Sequence, residues 1–267
     1  MRLSEAVDRL QKAGVESAKY DAEQLYISLG GFSVGDCKLS DPECNKAELI
    51  SALERRCKRE PLQYILGFTF FYRERYKVNH TCLIPRGDTE ILVDYAAENI
   101  PSGESILDLC TGSGCVGIST VKNTDKTTAT LVDISEDALA IAKENAEANG
   151  VGDRVKFLCA DVLSLEPKEK YFAILSNPPY VTPSEYEGLE REIFYEPKIA
   201  FLGGDDGMDF YKGIISSYKD SLKIGGFMAF EIGCSQGDKI RALGESHGFS
   251  VKVLKDLSGN DRVAVLT

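Results

Sequence analysis

The chain has 267 residues, of which 43% are hydrophobic and 27% charged, a composition typical of a globular protein with one or two domains. Its formal charge of −11 argues against a broad nucleic-acid-binding face, and neither a membrane-spanning apolar run nor a signal-peptide pattern is present. Because the eight cysteines are scattered and there are two histidines, we expect no metal site and a cytoplasmic protein with reduced thiols.

Residues 1–68 have the apolar spacing of helices and no strand alternation. We expect a first helix with Ser4 at its start and Gly14 at its end, a second that begins at Asp21, and a third that begins at Asp41-Pro42. This pattern predicts a small helical domain. Its role is either packing or substrate docking, and the residues leave both open.

Residues 69–90 differ, because aromatic and β-branched residues alternate with polar ones between Tyr72 and Lys77. This alternation predicts a β-hairpin that links the helical part to the remainder of the chain. Asp88 or Thr89 is then placed to cap the next helix.

From residue 105 onwards predicted strands and helices alternate, which indicates a mostly parallel sheet with helices on both faces. We expect an irregular, charged loop over 181–205 and an antiparallel pair formed by the last two strands. The predicted strands are 105–109, 129–132, 155–158, 172–175, 227–232, 249–254 and 262–266, and the predicted helices are 116 onwards, 136–149, 209–222 and 236–247.

The sequence Asn177-Pro178-Pro179-Tyr180 directly follows the short apolar strand 172–175. Asn177 therefore lies at the carboxyl end of a strand, where open α/β sheets bind their ligands. The Asn177 side-chain oxygen and the Pro178 carbonyl can accept both N–H bonds of a planar NH2 group, while Tyr180 packs on its flat face. The alternative is a plain Asn-Pro turn.

A glycine-rich loop lies between the strand at 105–109 and the next helix. Thr111-Gly112-Ser113-Gly114 allows a ligand to approach the backbone, and Asp133 ends the next strand about 20 residues later, where a carboxylate binds ribose hydroxyls. The loop departs from the full dinucleotide fingerprint, so it favours a nucleoside ligand over a pyrophosphate.

The order of this loop, Asp133, Asp161 and the Asn-Pro-Pro-Tyr motif resembles class I S-adenosylmethionine-dependent methyltransferases that act on a planar nitrogen. Further motifs over residues 60–267 resemble the peptide chain release factor glutamine N5-methyltransferases, the PrmC/HemK family. They are EPLQYILG at 60–67, IPR at 84–86, EP at 196–197, GGDDG at 203–207, FEIG at 230–233 and DLSGNDR at 256–262. Two departures are Cys110, where many members have glycine, and Gly87-Asp88, where Pro-Glu is common.

The resemblance implies a Rossmann-like class I methyltransferase sheet whose last strand is antiparallel. It also implies an N-terminal helical substrate-docking domain (1–68), a hairpin linker (69–90) and a methyltransferase domain (91–267). The implied reaction moves a methyl group from S-adenosyl-L-methionine to the side-chain amide nitrogen of the glutamine in the Gly-Gly-Gln motif of release factors, leaving S-adenosyl-L-homocysteine. We expect a monomer that binds release factors and neither nucleic acid nor membrane directly.

The resemblance also assigns site residues. Asp133 would bind the ribose, Ile134 would pack on adenine, and Glu231 is a candidate supporting group. The implied cofactor-binding residues are Cys110, Thr111, Gly112, Ser113, Gly114, Asp133, Ile134, Asp161, Val162 and Asn177. The implied catalytic residues are Asn177, Pro178, Pro179 and Tyr180, which also bind substrate together with Phe71 and Arg86 at the site mouth. For Phe71 hairpin packing is the alternative role, and for Arg86 a domain-clamping ion pair.

Four other functions compete with this one. An adenine-N6 nucleic-acid methyltransferase uses the same kind of acceptor for a base NH2 but expects a basic face. A glutamine methyltransferase of ribosomal proteins differs only in substrate. A nucleotide-binding oxidoreductase would not explain the Asn-Pro-Pro-Tyr motif, and a non-enzymatic docking module would need neither that motif nor Asp133.

Overall fold

The computed structural model describes residues 1–267 and divides them into two compact units. The first unit contains Met1–Phe68 together with Glu190–Tyr195, and the second contains Thr69–Leu189 and Glu196–Thr267. The predicted loop over 181–205 is thus shared, because six of its residues belong with the helical part of the chain.

The first unit is helical, as the apolar spacing predicted. Its helices are α1 (Leu3–Lys12), α2 (Ala18–Leu25), α3 (Val34–Leu39), α4 (Ala47–Cys57) and α5 (Leu62–Leu66), with a π-helical turn at Tyr26–Gly30 after α2. Leu10, Leu25 and Leu53 are fully buried in one core that α1, α2 and α4 share. Packing of these apolar stripes, rather than intrinsic propensity, stabilises helices of such lengths.

Two predicted helix starts in this unit are wrong. Asp41 begins no helix: its carboxylate accepts hydrogen bonds from the Ser4 backbone N–H and the Ser4 hydroxyl, both at 2.8 Å. Asp41 therefore satisfies free donors at the start of α1, while α4 begins only at Ala47 and α3 was not predicted. Asp21 lies inside α2, where its buried carboxylate pairs with Arg56 at 2.6 Å.

Segment Glu190–Tyr195 is attached to the first unit by polar contacts. Arg59 donates from Nε and Nη2 to the two oxygens of Glu192 at 2.6 and 2.7 Å, and the Tyr195 hydroxyl donates to the Lys58 carbonyl at 2.8 Å. The bidentate geometry is the strong form of an arginine–carboxylate pair.

The second unit is built around a seven-stranded sheet with the order β5-β4-β3-β6-β7-β9-β8. All neighbours are parallel except β9, which is antiparallel to both β7 and β8, so the predicted mostly parallel sheet with an antiparallel last strand is confirmed. The strands are β3 (Ser105–Leu109), β4 (Thr128–Asp133), β5 (Val155–Cys159), β6 (Tyr171–Ser176), β7 (Leu222–Glu231), β8 (Val251–Lys255) and β9 (Asp261–Leu266).

Six helices belong to this unit, and they cover both faces of the sheet. Ile106 and Leu175 face a core that includes residues of the first three helices, whereas Leu107 and Ile174 face a second core that includes residues of the last two. The helices are α6 (Glu90–Asn99), α7 (Cys115–Lys122), α8 (Glu136–Ala148), α9 (Pro183–Glu187), α10 (Asp209–Tyr218) and α11 (Gly237–Ser246). Of these, α9 lies in the segment that was predicted to be irregular.

The predicted hairpin is formed by β1 (Phe68–Phe71) and β2 (Glu74–Lys77). Tyr72 and Arg73 both have positive φ, 48° and 73°, as a tight two-residue hairpin turn requires. The ring of Tyr76 is buried, and its hydroxyl lies 2.6 Å from the Ser119 hydroxyl on α7. No helix of the chain has both the length and the apolar character needed to cross a membrane.

Candidate active site

Three loops meet at one edge of the sheet because β3, β4 and β6 are adjacent and parallel. Leu109 is paired with Val132 on one side and with Ser176 on the other. The loops that begin at Cys110 and Asn177, and the strand end at Asp133, therefore lie side by side. This is the edge at which open α/β sheets bind ligands.

A cavity opens at this edge. Eight of the predicted site residues line it: Cys110, Gly112, Asp133, Ile134, Asp161, Val162, Asn177 and Pro179. The predicted amide-binding motif and the predicted nucleoside-binding loop thus share one cavity. Thr111, Ser113, Gly114, Pro178, Tyr180, Phe71 and Arg86 do not line it.

The buried carboxyl of Asp108, which is 1% exposed, stabilises the glycine-rich loop by hydrogen bonds. One oxygen of this carboxylate accepts hydrogen bonds from the Thr111 hydroxyl at 2.5 Å and from the Gly117 N–H at 3.0 Å. Cys110 begins the loop with a positive φ of 59°, a left-handed conformation that favours glycine and strains other residues. The loop backbone is therefore fixed by buried contacts.

Burial raises the pKa of Asp108 from its ordinary 3.8 to about 7, although the hydrogen bonds from Thr111 and Gly117 oppose this rise. The unfolded chain releases this proton near pH 4, whereas the folded protein keeps it up to about pH 7. Stability from this group is therefore complete below about pH 4 and is lost as the pH rises through 7. Asp108→Asn keeps an acceptor for both hydrogen bonds but cannot ionise.

Urea unfolding measures the free energy of unfolding at pH 5 and at pH 8. We expect the decrease from pH 5 to pH 8 to be larger in the wild type than in Asp108→Asn by roughly 2–4 kcal/mol. Other carboxylates titrate equally in both proteins, so the difference reports Asp108 alone. The same pH dependence in both proteins would contradict an ionisable buried carboxyl at this position.

Asp133 ends β4 inside the cavity. Its two oxygens accept hydrogen bonds from the Gly112 N–H at 2.8 Å and the Ser135 N–H at 3.0 Å, which join the glycine loop to the start of α8. Burial raises the pKa of Asp133, and these backbone N–H bonds oppose that rise. Each oxygen keeps lone pairs for further donors such as a hydroxyl pair.

Apolar side chains accompany Asp133 in the cavity. Ile134 is 51% exposed, which is unusual for isoleucine and leaves its side chain free to pack on a flat ligand. Val162 is buried and lines the same cavity. Asp161 accepts from the Leu163 N–H at 2.9 Å and from the Ser164 hydroxyl at 3.1 Å, so its carboxylate orders the turn that begins at the cavity.

The backbone of the Asn-Pro-Pro-Tyr turn is closely packed against the GGDDG motif and Gln236. A β-carbon on Gly203 would lie 2.5 Å from the Pro179 carbonyl oxygen, and one on Gly207 would lie 2.3 Å from the Tyr180 carbonyl oxygen. Gln236 donates from Nε2 to the Tyr180 carbonyl at 3.2 Å. Gly203 and Gly207 of the GGDDG motif are thus required by close approach to this turn, which rigidifies it.

Polar contacts also fix the side chains of the turn. Asn177 donates from Nδ2 to the Thr89 hydroxyl oxygen at 3.3 Å, and the Tyr180 hydroxyl donates to Glu231 at 3.2 Å. Burial, followed by the nearby Glu231 charge, raises the pKa of Tyr180, so its hydroxyl stays protonated at neutral pH.

Two predicted substrate residues lie elsewhere. Phe71 is 1% exposed and packs edge-on against the ring of Tyr76, so its ring is part of the core and the packing alternative describes it. Arg86 forms an ion pair with the buried Glu196, whose other oxygen accepts from the Ile84 N–H at 2.9 Å. Both partners belong to the second unit, so this pair orders a loop and does not clamp two domains.

Several cavity residues were not predicted. They come from segments without a recognisable nucleotide motif: Thr81, Cys82 and Leu83 before the IPR motif, Pro197, Ile199 and Ala200 after Glu196, and Ser135, Ala138 and Phe210 on the helices. The motifs IPR and EP could have indicated these residues, because each motif adjoins a segment that lines the cavity.

Comparison with known proteins finds family models that match both parts of the chain. The family model described as PrmC N-terminal domain matches residues 2–67, and the one described as Methyltransferase small domain matches residues 87–198. A methyltransferase structure from Pyrococcus furiosus aligns with a TM-score of 0.53 at 20% identity, covering 72% of this chain and 86% of that one, which shows the fold alone.

Curated relatives are more specific. The release factor glutamine methyltransferase of Thermodesulfovibrio yellowstonii is 43% identical over 223 residues, which cover 81% of this chain and 79% of the relative. That of Geobacter sulfurreducens is 35% identical over 260 residues, which cover 95% of this chain and 91% of the relative. With this degree of similarity over nearly its whole length, the chain belongs to the family of release factor glutamine methyltransferases.

Proposed function

We propose that this protein transfers the methyl group of S-adenosyl-L-methionine to the side-chain amide nitrogen of the glutamine in the Gly-Gly-Gln motif of peptide chain release factors. S-adenosyl-L-homocysteine is the second product. One observation carries the proposal: Asn177 and Pro179 line the same cavity as Gly112 and Asp133. An acceptor for a planar NH2 group thus lies beside a nucleoside-binding loop.

The cavity fits the cofactor by the chemistry of its lining. Asp133 offers free acceptor positions for the ribose hydroxyls, and Ile134 with Val162 offers apolar surface for adenine. The nearby carboxylates Asp133 and Asp161 suit a ligand with a positive charge. When bound, the sulfonium supplies an already activated methyl group.

The residues of the Asn-Pro-Pro-Tyr turn position the glutamine amide. Its nitrogen is a weak nucleophile because the lone pair is delocalised into the carbonyl. By accepting both N–H bonds, the Asn177 oxygen and the Pro178 carbonyl fix the direction of that lone pair. Orientation of this kind removes up to roughly 7–11 kcal/mol of a barrier in favourable intramolecular reactions.

No strong base is needed, because the proton becomes acidic once the nitrogen carries the methyl group. Two groups beside the motif, the Tyr180 hydroxyl and the Cys110 thiol, stay protonated because burial raises the pKa of both. Tyr180 instead anchors the turn, because its hydroxyl donates to the buried Glu231.

Methyl transfer with labelled S-adenosyl-L-methionine tests the proposal directly. We expect label in an intact release factor, located by peptide mass spectrometry on the glutamine of its Gly-Gly-Gln motif. A factor with that glutamine replaced by alanine should remain unlabelled. Label in duplex DNA or in ribosomal proteins, with none in the release factor, would favour one of the competing substrates instead.

The helical unit is proposed to dock the release factor. Residues 1–68 carry 10 basic and 11 acidic side chains, a net charge of −1, so the charge of −11 is concentrated in residues 69–267. The helical unit is therefore nearly neutral and exposes large apolar side chains, among them Tyr20, Val34 and Leu39 at 60%, 53% and 90% exposure. Apolar and aromatic residues of this kind contribute most of the energy at protein interfaces.

We expect the triple variant Tyr20→Ala, Val34→Ala and Leu39→Ala to raise KM for the intact release factor by roughly 3–30-fold, as loss of interface side chains does. The dissociation constant for S-adenosyl-L-methionine should not change, nor should KM for a short peptide that contains Gly-Gly-Gln. Ile224→Ala with Leu257→Ala removes apolar side chains of the second unit that are even more exposed and serves as the control. An unchanged KM for the intact factor would count against docking through these residues.

A further inference from the structure

A chain of buried polar groups lies behind Asn177. Thr89, which is 1% exposed, donates from its hydroxyl to Glu231 Oε2 at 2.5 Å, and Glu231 is 2% exposed. The Tyr180 hydroxyl donates to the other oxygen, Oε1, at 3.2 Å. Asn177 donates from Nδ2 to the Thr89 hydroxyl oxygen at 3.3 Å. Two residues outside the Asn-Pro-Pro-Tyr motif thus connect its first and last members.

The hydroxyl of Thr89 is not used as a helix cap. Thr89 ends a 3-10 turn, Gly87–Thr89, that runs directly into α6, and its own backbone is helical, with φ −66° and ψ −18°. A capping residue has a non-helical backbone, so the Thr89 side chain makes no cap and donates to Glu231 instead.

The directions of the hydrogen bonds in this chain follow from the number of protons available. Burial raises the pKa of Glu231, and the Thr89 hydrogen bond, the nearby Arg262 charge and the Tyr180 hydrogen bond oppose that rise. Both oxygens of Glu231 are placed as acceptors, so as a carboxylate it takes the protons of both Thr89 and Tyr180. A threonine hydroxyl has one proton, and with that proton on Glu231 its oxygen can only accept. The Asn177 amide must therefore turn its NH2 towards Thr89, which leaves its carbonyl oxygen free on the other side.

On this basis we propose that Thr89 and Glu231 are positioning residues that select the rotamer of the Asn177 amide in which its oxygen, and not its NH2, is presented to the substrate. The opposite rotamer would place two donors against the two N–H groups of the glutamine amide. Only the selected rotamer can accept an N–H bond from the substrate. This inference rests on the proposed function for its substrate, but the rotamer itself is a property of the free protein.

Thr89→Val tests the proposal because it keeps the shape of the side chain and removes the hydroxyl. We expect kcat for release factor methylation to fall roughly tenfold, the effect of one lost hydrogen bond of ordinary strength. The dissociation constant for S-adenosyl-L-methionine should stay within twofold. Thr89→Ser should restore kcat. Thr120→Val is the matched control, since Thr120 is a fully buried threonine whose hydroxyl has no partner, and it should leave kcat unchanged.

A double-mutant cycle separates positioning from general destabilisation. If Thr89 acts through Asn177, adding Thr89→Val to Asn177→Ala should change kcat by less than twofold, because the oriented group is already absent. A further tenfold loss in that background would overturn the proposal. Should the valine variant not fold, Thr89→Ala removes the same hydroxyl with a smaller side chain.

A measurement on the free protein keeps this inference distinct from the proposed reaction. In protein labelled with 15N-asparagine, the Asn177 NH2 signals can be assigned by their loss in Asn177→Ala. We expect these protons to exchange slowly with water in the wild type and in Thr89→Ser, and to exchange faster in Thr89→Val. Equal exchange in all three proteins would overturn the rotamer assignment, whereas a wild type that does not methylate release factors would overturn only the proposed function.

Discussion

Asn177→Ala is expected to lower kcat for methylation of the release factor by roughly 10²–10³-fold, the loss seen when one well-placed polar group that orients reacting atoms is removed. The variant leaves one N–H of the substrate glutamine without its acceptor. The glutamine amide is then free to rotate. Because this contact serves orientation in the transition state, the loss should appear in kcat far more than in cofactor affinity. Single-turnover methylation of an intact factor measures it directly.

Two further variants test the interpretation of this result. Asn177→Asp keeps the size and one acceptor oxygen but cannot donate to Thr89 and adds a negative charge, so it should also be impaired if the amide orients the substrate. Asn99→Ala removes an exposed asparagine from α6, where its side chain bonds only its own helix, and should be neutral. A folded Asn177→Ala protein with a near-wild-type rate would show that the motif is only a turn.

The sheet was predictable because its signals are local. Short apolar runs, glycine-rich turns and Ser135 at the start of α8 predicted strand and helix positions that the structure matches within a few residues, except that β7 begins at Leu222, five residues before the predicted start. The site followed from the same signals, since ligands bind at the carboxyl ends of adjacent parallel strands. Sequence order alone therefore placed Asp133 and Asn177 in one cavity.

The features that could not be predicted depend on partners that are distant in the chain. Asp41 looks like a helix start, but it satisfies donors 37 residues earlier. Nothing in the sequence of segment 190–195 indicates that it belongs to the helical unit. Its place there depends on the ion pair between Glu192 and Arg59. Thr89 is a plain capping residue by sequence, and only the buried Glu231, 142 residues later, gives its hydroxyl another role. Propensity and periodicity carry no information on such long-range pairs.

Asp133→Ala is expected to weaken binding of S-adenosyl-L-methionine by roughly 1.5–3 kcal/mol, or about 10–150-fold in the dissociation constant, the range for hydrogen bonds to a charged group. Part of the loss would come from the protein itself, because Asp133 also holds the Gly112 and Ser135 N–H groups in place. Titration calorimetry with S-adenosyl-L-methionine and with S-adenosyl-L-homocysteine measures the effect.

The expected pattern is the reverse of that for Asn177. At saturating cofactor, kcat of Asp133→Ala should fall less than affinity does, since the ribose lies away from the reacting methyl group. Asp133→Asn keeps one acceptor oxygen and should lose less affinity than the alanine variant. Asp153→Ala, an exposed carboxylate before β5, is the matched control and should bind normally. An unchanged dissociation constant in folded Asp133→Ala would remove Asp133 from the ribose site, and a loss confined to kcat would instead give it a part in orienting the methyl acceptor.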